Sequence, residues 1–175
     1  LERGVETGRL EGHNDTVNVL AFLPNGRLAS GSEDKTIKLW DTNKGIETGC
    51  LSNEADVLGQ VTALLPLGDD ILVAGLVGGW VQFWNTDTCR QTHKFRNGTY
   101  EVRALCTMPN GSFASGDFHG VLRIWDKNPG DWTARIEAHS GQIKALTELP
   151  NGRFASASTD KTLRVWDISI STPAA

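Results

Sequence analysis

Two rows of histidine, serine and aspartate are the side chains of this sequence best suited to chemistry. The first row holds His13, Ser30 and Asp34, and the second holds His139, Ser156 and Asp160. In a hydrolase an aspartate orients a histidine that takes the serine proton, so each row has the residue types of a catalytic triad. However, the two rows occupy the same positions within two copies of one sequence repeat. This repetition favours a structural role over catalysis.

Other candidate groups for chemistry are isolated. His119 and Asp117 share one turn with no third group evident, so an enzyme that uses this pair is the least favoured hypothesis. Asp69 and Asp70 form a carboxylate pair in a hairpin, where a solvated turn is favoured over a metal site. No phosphate-binding glycine loop, nucleophile elbow or zinc-protease helix motif occurs. The residues therefore predict no catalytic group, no cofactor and no metal site.

Composition narrows the class of partner. The chain has 175 residues, a net charge of −4 and a pI near 5.5, so general nucleic-acid binding is not expected. No apolar run approaches the roughly 20 residues that span a bilayer, and no signal peptide is evident, so we expect a cytoplasmic or nuclear protein without a membrane segment. Cys50, Cys89 and Cys106 are far apart and odd in number, which favours free structural thiols.

The elements that must position these residues come from an internal repeat. Four versions of one text occupy residues 12–41, 57–85, 98–126 and 138–167. Each version ends in a run of apolar, polar, apolar and tryptophan residues. The tryptophans are Trp40, Trp84, Trp125 and Trp166. Alternation with a period of two predicts a strand with one face packed on a neighbour and rules out a helix.

The first unit illustrates the predicted strands. Residues 17–22, 27–32 and 36–40 are predicted strands, and the first two are joined by a tight hairpin at Pro24, Asn25 and Gly26. Residues 5–10 form a further predicted strand, because residues 8–13 match residues 134–139 position for position. This segment would occupy the outermost position of a four-stranded unit.

A repeat of this length, with four strands per unit and a Gly-His to Trp-Asp frame, resembles the WD40 family of β-propellers. The resemblance implies an all-β fold of four four-stranded antiparallel blades in a single domain, 1–175, or a half-propeller. Its divisions would be an N-terminal outer strand at 1–11 and repeats at about 12–51, 52–96, 97–137 and 138–175.

The resemblance also implies a buried hydrogen-bonded tetrad in two blades. The matching residues are His13, Ser30, Asp34 and Trp40 in the first unit and His139, Ser156, Asp160 and Trp166 in the fourth. Unit two departs from the pattern with Val57, Ala74 and Gly78, and unit three with Gly98, Ser115 and His119. We expect blades two and three to depend more on packing and to be less rigid at the loop before the first strand.

Partner binding is expected where the loops before the first strands and the turns between second and third strands crowd the mouth of the channel. The residues mapped to this channel-mouth face are Thr16, Asn18, Glu33, Gln60, Thr62, Val77, Glu101, Arg103, Phe118, Gln142, Lys144 and Thr159. Most are polar. We expect Val77 to tuck into its blade beside two glycines and Phe118 to face a partner.

Four blades are too few for a closed WD40 ring, because neighbours would be about 90° apart where rings of seven or eight need about 45–51°. Two outcomes stay open. Two chains can associate head to tail as a homodimer with eight blades, each lending its N-terminal strand to the other, or the chain is part of a larger propeller. The absent initial Met keeps the second outcome open. The function expected is non-catalytic binding of a protein or peptide, with self-association into a ring as the alternative.

Overall fold

The structure, a computed structural model, describes residues 4–52, 59–108, 111–126, 130, 132–150 and 152–167. The described residues form an all-β array of four antiparallel sheets, which we call blades 1 to 4. They contain no helix long and apolar enough to cross a membrane. The fold class predicted from the sequence is therefore confirmed.

Strand bounds follow the repeat. Blade 1 contains β1 (Val17–Phe22), β2 (Leu28–Ser32), β3 (Ile37–Asp41) and β4 (Ile46–Leu51). Blade 2 contains β5 (Val61–Pro66), β6 (Ile71–Leu76), β7 (Trp80–Asn85) and β8 (Arg90–Arg96). Blade 3 contains β9 (Val102–Thr107), β10 (Phe113–Asp117), β11 (Val121–Trp125) and β12 (Trp132–Glu137). Blade 4 contains β13 (Ile143–Glu148), β14 (Arg153–Ser158) and β15 (Leu163–Asp167).

Each blade is a meander in which consecutive strands pair. The first hairpin turns at Gly26, whose φ of 83° is left-handed, and the Leu23 amide donates to the Arg27 carbonyl at 2.8 Å. Glycine adopts this backbone conformation without a Cβ clash, as the Asn-Gly text predicts. Pro109 and Asn151, in the corresponding hairpins of blades 3 and 4, lie outside the described residues.

Neighbouring blades pack through their alternating apolar faces. Leu39 of blade 1 is fully buried against a cluster that includes Leu72 of blade 2. Between blades 2 and 3, Phe113 stacks on Trp125 with ring centroids 5.6 Å apart and contacts Phe83 edge-on. These interfaces set the inner strands β1, β5, β9 and β13 side by side in chain order.

Within the part of the chain that the structure describes, the first and last blades each have a neighbouring blade on one side only. Ile37 in blade 1 is 2% exposed, whereas Leu163, at the same repeat position in blade 4, is 79% exposed. On the opposite flank, Leu64 of blade 2 is 8% exposed and its counterpart Leu20 in blade 1 is 60% exposed. The same positions are buried inside the array and open at its ends.

Blade 4 has three strands in the described part of the chain, whereas β4, β8 and β12 complete the other three blades. The segment predicted as a lone outer strand, residues 5–10, has no strand structure and pairs with no sheet within one chain. Val5 is 79% exposed. Among the described residues, no strand pairs with the outer edge of β15.

All three cysteines are free. Cys106 lies in the apolar cluster between blades 3 and 4, and burial raises the pKa of its thiol to about 12. A thiol so resistant to ionisation is a poor nucleophile, which fits a packing role.

Candidate functional site

The first tetrad ties the loop before β1 to the body of blade 1. The indole N–H of Trp40 donates to Ser30 Oγ at 2.8 Å, and Ser30 Oγ lies 2.7 Å from His13 Nε2. His13 Nδ1 lies 2.8 Å from Asp34 Oδ2. Because a carboxylate only accepts, Nδ1 donates to Asp34 and Nε2 accepts the serine hydroxyl, so every member has a partner.

Blade 4 repeats this arrangement. The Trp166 indole donates to Ser156 Oγ at 2.8 Å, His139 Nε2 lies 2.6 Å from that oxygen, and His139 Nδ1 lies 2.8 Å from Asp160 Oδ2. In both blades the serine is buried and its oxygen accepts the indole N–H. A hydroxyl held this way is not presented to a substrate, so the rows are structural networks.

Hydrogen bonds keep the tetrad aspartates ionised. Burial alone would raise the pKa of the Asp34 carboxyl, but the Thr36 hydroxyl and the other donors around it outweigh burial and hold the pKa well below its usual range. For Asp160 the hydrogen bond from the Thr162 hydroxyl is the largest cause and lowers the pKa, also to well below the usual range. Both carboxylates therefore hold their donors down to acidic pH.

Blade 3 contains a three-residue variant of the tetrad that its sequence register did not predict. Asn97 Oδ1, not the aligned Gly98, accepts the Ser115 hydroxyl at 2.5 Å, and Ser115 Oγ accepts the Trp125 indole N–H at 2.8 Å. The sequence signal for this network was the presence of Ser115 and Trp125 at their repeat positions. A buried serine that accepts from the tryptophan still needs an acceptor for its own hydroxyl proton, which a third residue must supply. Asn97 escaped notice because it lies one residue before the register position.

A buried ion pair completes blade 3. Arg123 Nη1 donates to Asp117 Oδ2 at 2.8 Å, and the two side chains are 9% and 2% exposed. Asp117 also accepts the backbone amide of His119 at 2.9 Å. With its carboxylate occupied in this way, Asp117 is not available as the partner of a catalytic His119. The exposed His119 ring instead lies against Tyr100, with centroids 3.7 Å apart.

Blade 2 has a smaller substitute. Gln82, which is buried, accepts the Trp84 indole N–H through Oε1 at 3.2 Å. Ala74 and Gly78 occupy the predicted serine and aspartate positions and offer no side-chain hydrogen bond. Val57, at the histidine position, lies outside the described residues.

One recurring backbone hydrogen bond assembles the channel-mouth face. In every blade the first residue of the turn between the second and third strands donates its amide to the carbonyl of the residue just before the first strand, at 2.9 to 3.0 Å. The pairs are Glu33 to Thr16, Val77 to Gln60, Phe118 to Glu101 and Thr159 to Gln142. The repeat therefore sets two candidate residues per blade next to each other.

Seven of the twelve candidate residues line one pocket of about 400 Å³ beside the inner strands of blades 1 to 3. They are Asn18, Glu33, Gln60, Thr62, Val77, Glu101 and Arg103. Phe118 adjoins this pocket, since the Arg103 guanidinium lies 5.7 Å from its ring centroid. Thr16, Gln142, Lys144 and Thr159 do not line it.

The residues given above for the pocket lining are polar or charged except Val77. Gln60 donates to Glu33 at 3.2 Å, and Arg103 pairs with Glu101 at 3.4 Å. The Nε of Arg103 is buried with no acceptor in the described protein. Val77 is 37% exposed, so the expectation that it tucks into its blade is wrong; Phe118 is 38% exposed.

Two predicted contact residues are engaged between blades. Asn18 Nδ2 donates to the Val61 carbonyl at 3.3 Å, which links β1 to β5. Thr62 Oγ1 donates to the Val102 carbonyl at 2.5 Å, which links β5 to β9. These side chains hold neighbouring inner strands together, so they shape the pocket floor more than they offer free groups to a partner.

The described residues contain no group of three histidine, cysteine, aspartate or glutamate side chains placed to hold a metal ion.

Comparison with known families agrees with the repeat architecture. The family profile described as "WD domain, G-beta repeat" matches residues 4–41, 88–126 and 130–167, which together make up most of the chain. The chain belongs to the WD40 repeat family.

Relatives of this WD40 chain carry names of the same family or of interaction proteins. It is 36% identical over 104 residues to the "p21-activated protein kinase-interacting protein 1-like" of Xenopus laevis, which covers 58% of this chain and 27% of that protein. It is 38% identical over 87 residues to the "WD repeat-containing protein 89 homolog" of Dictyostelium discoideum, covering 49% and 23% respectively. The chain thus spans about a quarter of these curated relatives.

Solved structures with the same fold include two designed proteins. The computationally designed Ika4 protein superposes with a TM-score of 0.79 at 30% identity, over 95% of this WD40 chain and 99% of that chain. The computationally designed Ika8 protein gives a TM-score of 0.77 at 30% identity, over 91% of this chain and 48% of that chain. WD40 proteins are in general protein-interaction scaffolds.

Proposed function

We propose that this WD40 chain is a non-catalytic scaffold that binds a protein or peptide at the channel-mouth face. The observation that carries the proposal is the pocket beside blades 1 to 3, where Arg103, which has an unused donor, lines the pocket together with Val77 and lies near the ring of Phe118. Arginine and aromatic residues supply most of the binding energy in protein interfaces. The fold supplies a rigid backbone for them.

The pocket favours a partner segment of defined chemistry. Arg103 needs an acceptor for its Nε, and Phe118 and Val77 need an apolar side chain. Glu33 and Glu101 flank these residues and favour a basic residue beside the apolar one. A short segment with an apolar anchor and adjacent polar or basic residues meets these requirements.

Peptide selection tests the proposal. Peptides selected from a displayed library on the wild-type chain are expected to bind Arg103→Ala and Phe118→Ala at least about tenfold more weakly, since hot-spot truncations cost 2 kcal/mol or more. Arg90→Ala, an exposed arginine on β8 outside this pocket, is the matched control. Peptides that bind all three variants as tightly as wild type would place the interaction elsewhere.

A second candidate function, ring closure with another copy of the chain, has its own support. Leu163 and Val165 of blade 4 are 79% and 59% exposed, whereas their counterparts Ile37 and Leu39 are 2% and 0% exposed against the next blade. The free flank of blade 4 therefore has the apolar pattern that receives a blade. The free flank of blade 1, which carries Leu20, has the apolar pattern of the face that packs against the preceding blade elsewhere in the array.

The unpaired edge of β15 supports the same arrangement. The sequence of residues 8–13 matches that of the end of β12 and the loop after it. Strand β12 is the fourth and outermost strand of blade 3. The same segment from a second copy fits the open edge of blade 4. Two head-to-tail chains then close a ring of eight blades with two-fold symmetry and do not grow into fibres. The Ika8 chain, about half of which matches this one, is consistent with two such arrays in one ring.

Light scattering across a concentration series tests ring closure. The chain 1–175 is expected to show a two-chain mass, and a version without residues 1–10 is expected to dissociate or aggregate, because an exposed edge and two apolar flanks are association hazards. A one-chain mass at every concentration would contradict ring closure between copies.

A further inference from the structure

A second pocket, whose lining shares no residue with the channel-mouth pocket, lies between the outer strand of blade 2 and the outer two strands of blade 3. We call it the Arg123 pocket. It has a volume of about 590 Å³ and is lined by Arg96, Asn97, Gly98, Arg123, Trp132 and Arg135. The loop between β8 and β9 forms one wall, and strands β11 and β12 form the other. Its position separates it from the peptide site proposed above.

Two buried donors in this pocket have no acceptor. Asn97 is 1% exposed and Arg123 is 7% exposed. Asn97 Nδ2 and Arg123 Nε both lack a hydrogen-bond partner in the described protein. The assignment of the Asn97 amide follows from its neighbours, because its oxygen must accept the Ser115 hydroxyl, which makes the NH₂ group of this pocket-lining residue the unpaired end. Unpaired buried donors are costly, so a ligand that accepts hydrogen bonds gains affinity here.

The charge of the pocket is positive. Three arginines, Arg96, Arg123 and Arg135, line the pocket without a carboxylate among its lining residues. Two carboxylates, Asp117 and Glu137, line an adjoining pocket that shares Arg123 and Arg135. Asp117 pairs with Arg123, and Glu137 pairs with Arg135 at 2.5 Å. Arg96 has no carboxylate partner within the described chain. Among the described residues, the Arg96 guanidinium charge is therefore left uncompensated at the pocket wall.

Neighbouring side chains hold the guanidinium groups in place. The Arg96 guanidinium lies over the Trp80 ring, 4.6 Å from its centroid. Gly98 leaves room for Arg123, since a Cβ at this position would lie 3.0 Å from Nη2. Preorganised guanidinium donors bind planar or tetrahedral oxyanions in a bidentate manner. The exposed face of Trp132 offers an apolar wall beside them.

We propose that the Arg123 pocket binds an oxyanion, a phosphate monoester or a carboxylate, carried by a side chain of a peptide partner. The anion accepts hydrogen bonds from Asn97 Nδ2 and Arg123 Nε and neutralises Arg96. The group that carries the anion packs on Trp132. This site adds a second point of attachment to a scaffold, and its lining shares no residue with that of the channel-mouth pocket.

Nuclear magnetic resonance of the ¹⁵N-labelled full chain tests the proposal. Phenyl phosphate, phenylacetate, inorganic phosphate and neutral phenol are titrated separately at matched ionic strength. We expect saturable shifts of the Asn97 side-chain NH₂ and Arg123 Nε–H resonances with at least one anion and none with phenol. Binding of phenyl phosphate alone identifies a phosphate monoester, and comparable binding of phenylacetate identifies a carboxylate.

Variants connect the shifts to the pocket. Arg96 and Arg135 are exposed, so Arg96→Ala and Arg135→Ala keep the fold, and each is expected to weaken anion binding about tenfold or more. Arg90→Ala removes the same charge at the opposite end of β8 and is expected to leave binding unchanged. The proposal is overturned if no anion gives saturable shifts, if phenol shifts these resonances equally, or if all three variants bind alike.

Discussion

Leu163→Ala separates a free chain from a closed ring. In a single chain Leu163 is 79% exposed, so truncation is expected to change the free energy of unfolding by no more than about 0.5 kcal/mol. In a closed ring the position resembles Ile37, which is 2% exposed against the next blade. Truncation at such a buried site costs about 2–5 kcal/mol.

A two-fold ring contains this interface twice, so the loss doubles to about 4–10 kcal/mol per ring. At 1.4 kcal/mol for each factor of ten, the dissociation constant of the dimer is expected to rise by roughly 10³ to 10⁷. Light scattering or sedimentation over a dilution series measures this change. Urea unfolding of the dissociated chain checks that the blade itself is unaffected.

Two further variants serve as controls for Leu163→Ala. Ile37→Ala is expected to destabilise the chain by about 2–5 kcal/mol at every protein concentration, because its neighbour belongs to the same chain. Ile46→Ala removes an exposed apolar side chain from the outer strand of blade 1, away from the open flanks, and is expected to leave the mass unchanged. If Leu163→Ala leaves the dissociation constant at the wild-type value, the argument from repeat positions is refuted.

Three further predictions concern the blades themselves. Ser30→Ala leaves the Trp40 indole N–H and the Nε2 atom of His13 without a partner and is expected to cost roughly 1–3 kcal/mol for each group in urea unfolding; a loss below about 0.5 kcal/mol would contradict a stabilising tetrad. The tetrad aspartates have lowered pKa values in the folded chain, so their stabilisation is complete above about pH 4 and is lost as the pH falls through the folded values. Urea midpoints from pH 6 to pH 2 should therefore fall less steeply in Asp34→Asn, and an unchanged slope would contradict this assignment. Gly79→Ala and Gly26→Ala both place a Cβ at left-handed φ, at about 1–2 kcal/mol, but only at Gly79 does the Cβ collide with the carbonyl of the following loop. The thermal midpoint should therefore fall further for Gly79→Ala, and equal losses would show that the collision relaxes.

The strands and blade order were predictable because the signal is local. A run of apolar, polar, apolar and tryptophan residues predicts both a strand and the face of that strand that packs on a neighbour. This run recurs at Trp40, Trp84, Trp125 and Trp166. The tetrads in blades 1 and 4 follow the same register from one blade to the other. Their hydrogen bonds depend on residues at fixed offsets, which a sequence displays directly.

The site in blade 3 was not predictable by register. Asn97 and Ser115 are separated by 18 positions, whereas His13 and Ser30 are separated by 17. One additional loop residue is enough to hide the equivalence, because a loop can bring either residue to the serine. The exposure of Val77 was equally hidden, since it depends on how the turn lies against the neighbouring blade.

The distribution of tetrads along the array has a consequence for local opening. The two complete histidine networks lie in blades 1 and 4, which are the blades with an open flank. Terminal units of a stacked array normally fray first, because each has a neighbour on one side only. Here each terminal blade is stabilised by the hydrogen bonds of its own tetrad. We therefore expect amide hydrogens in β2 and β14 to exchange nearly as slowly as those in β6 and β10, so that each end of the array keeps its shape before any neighbour arrives.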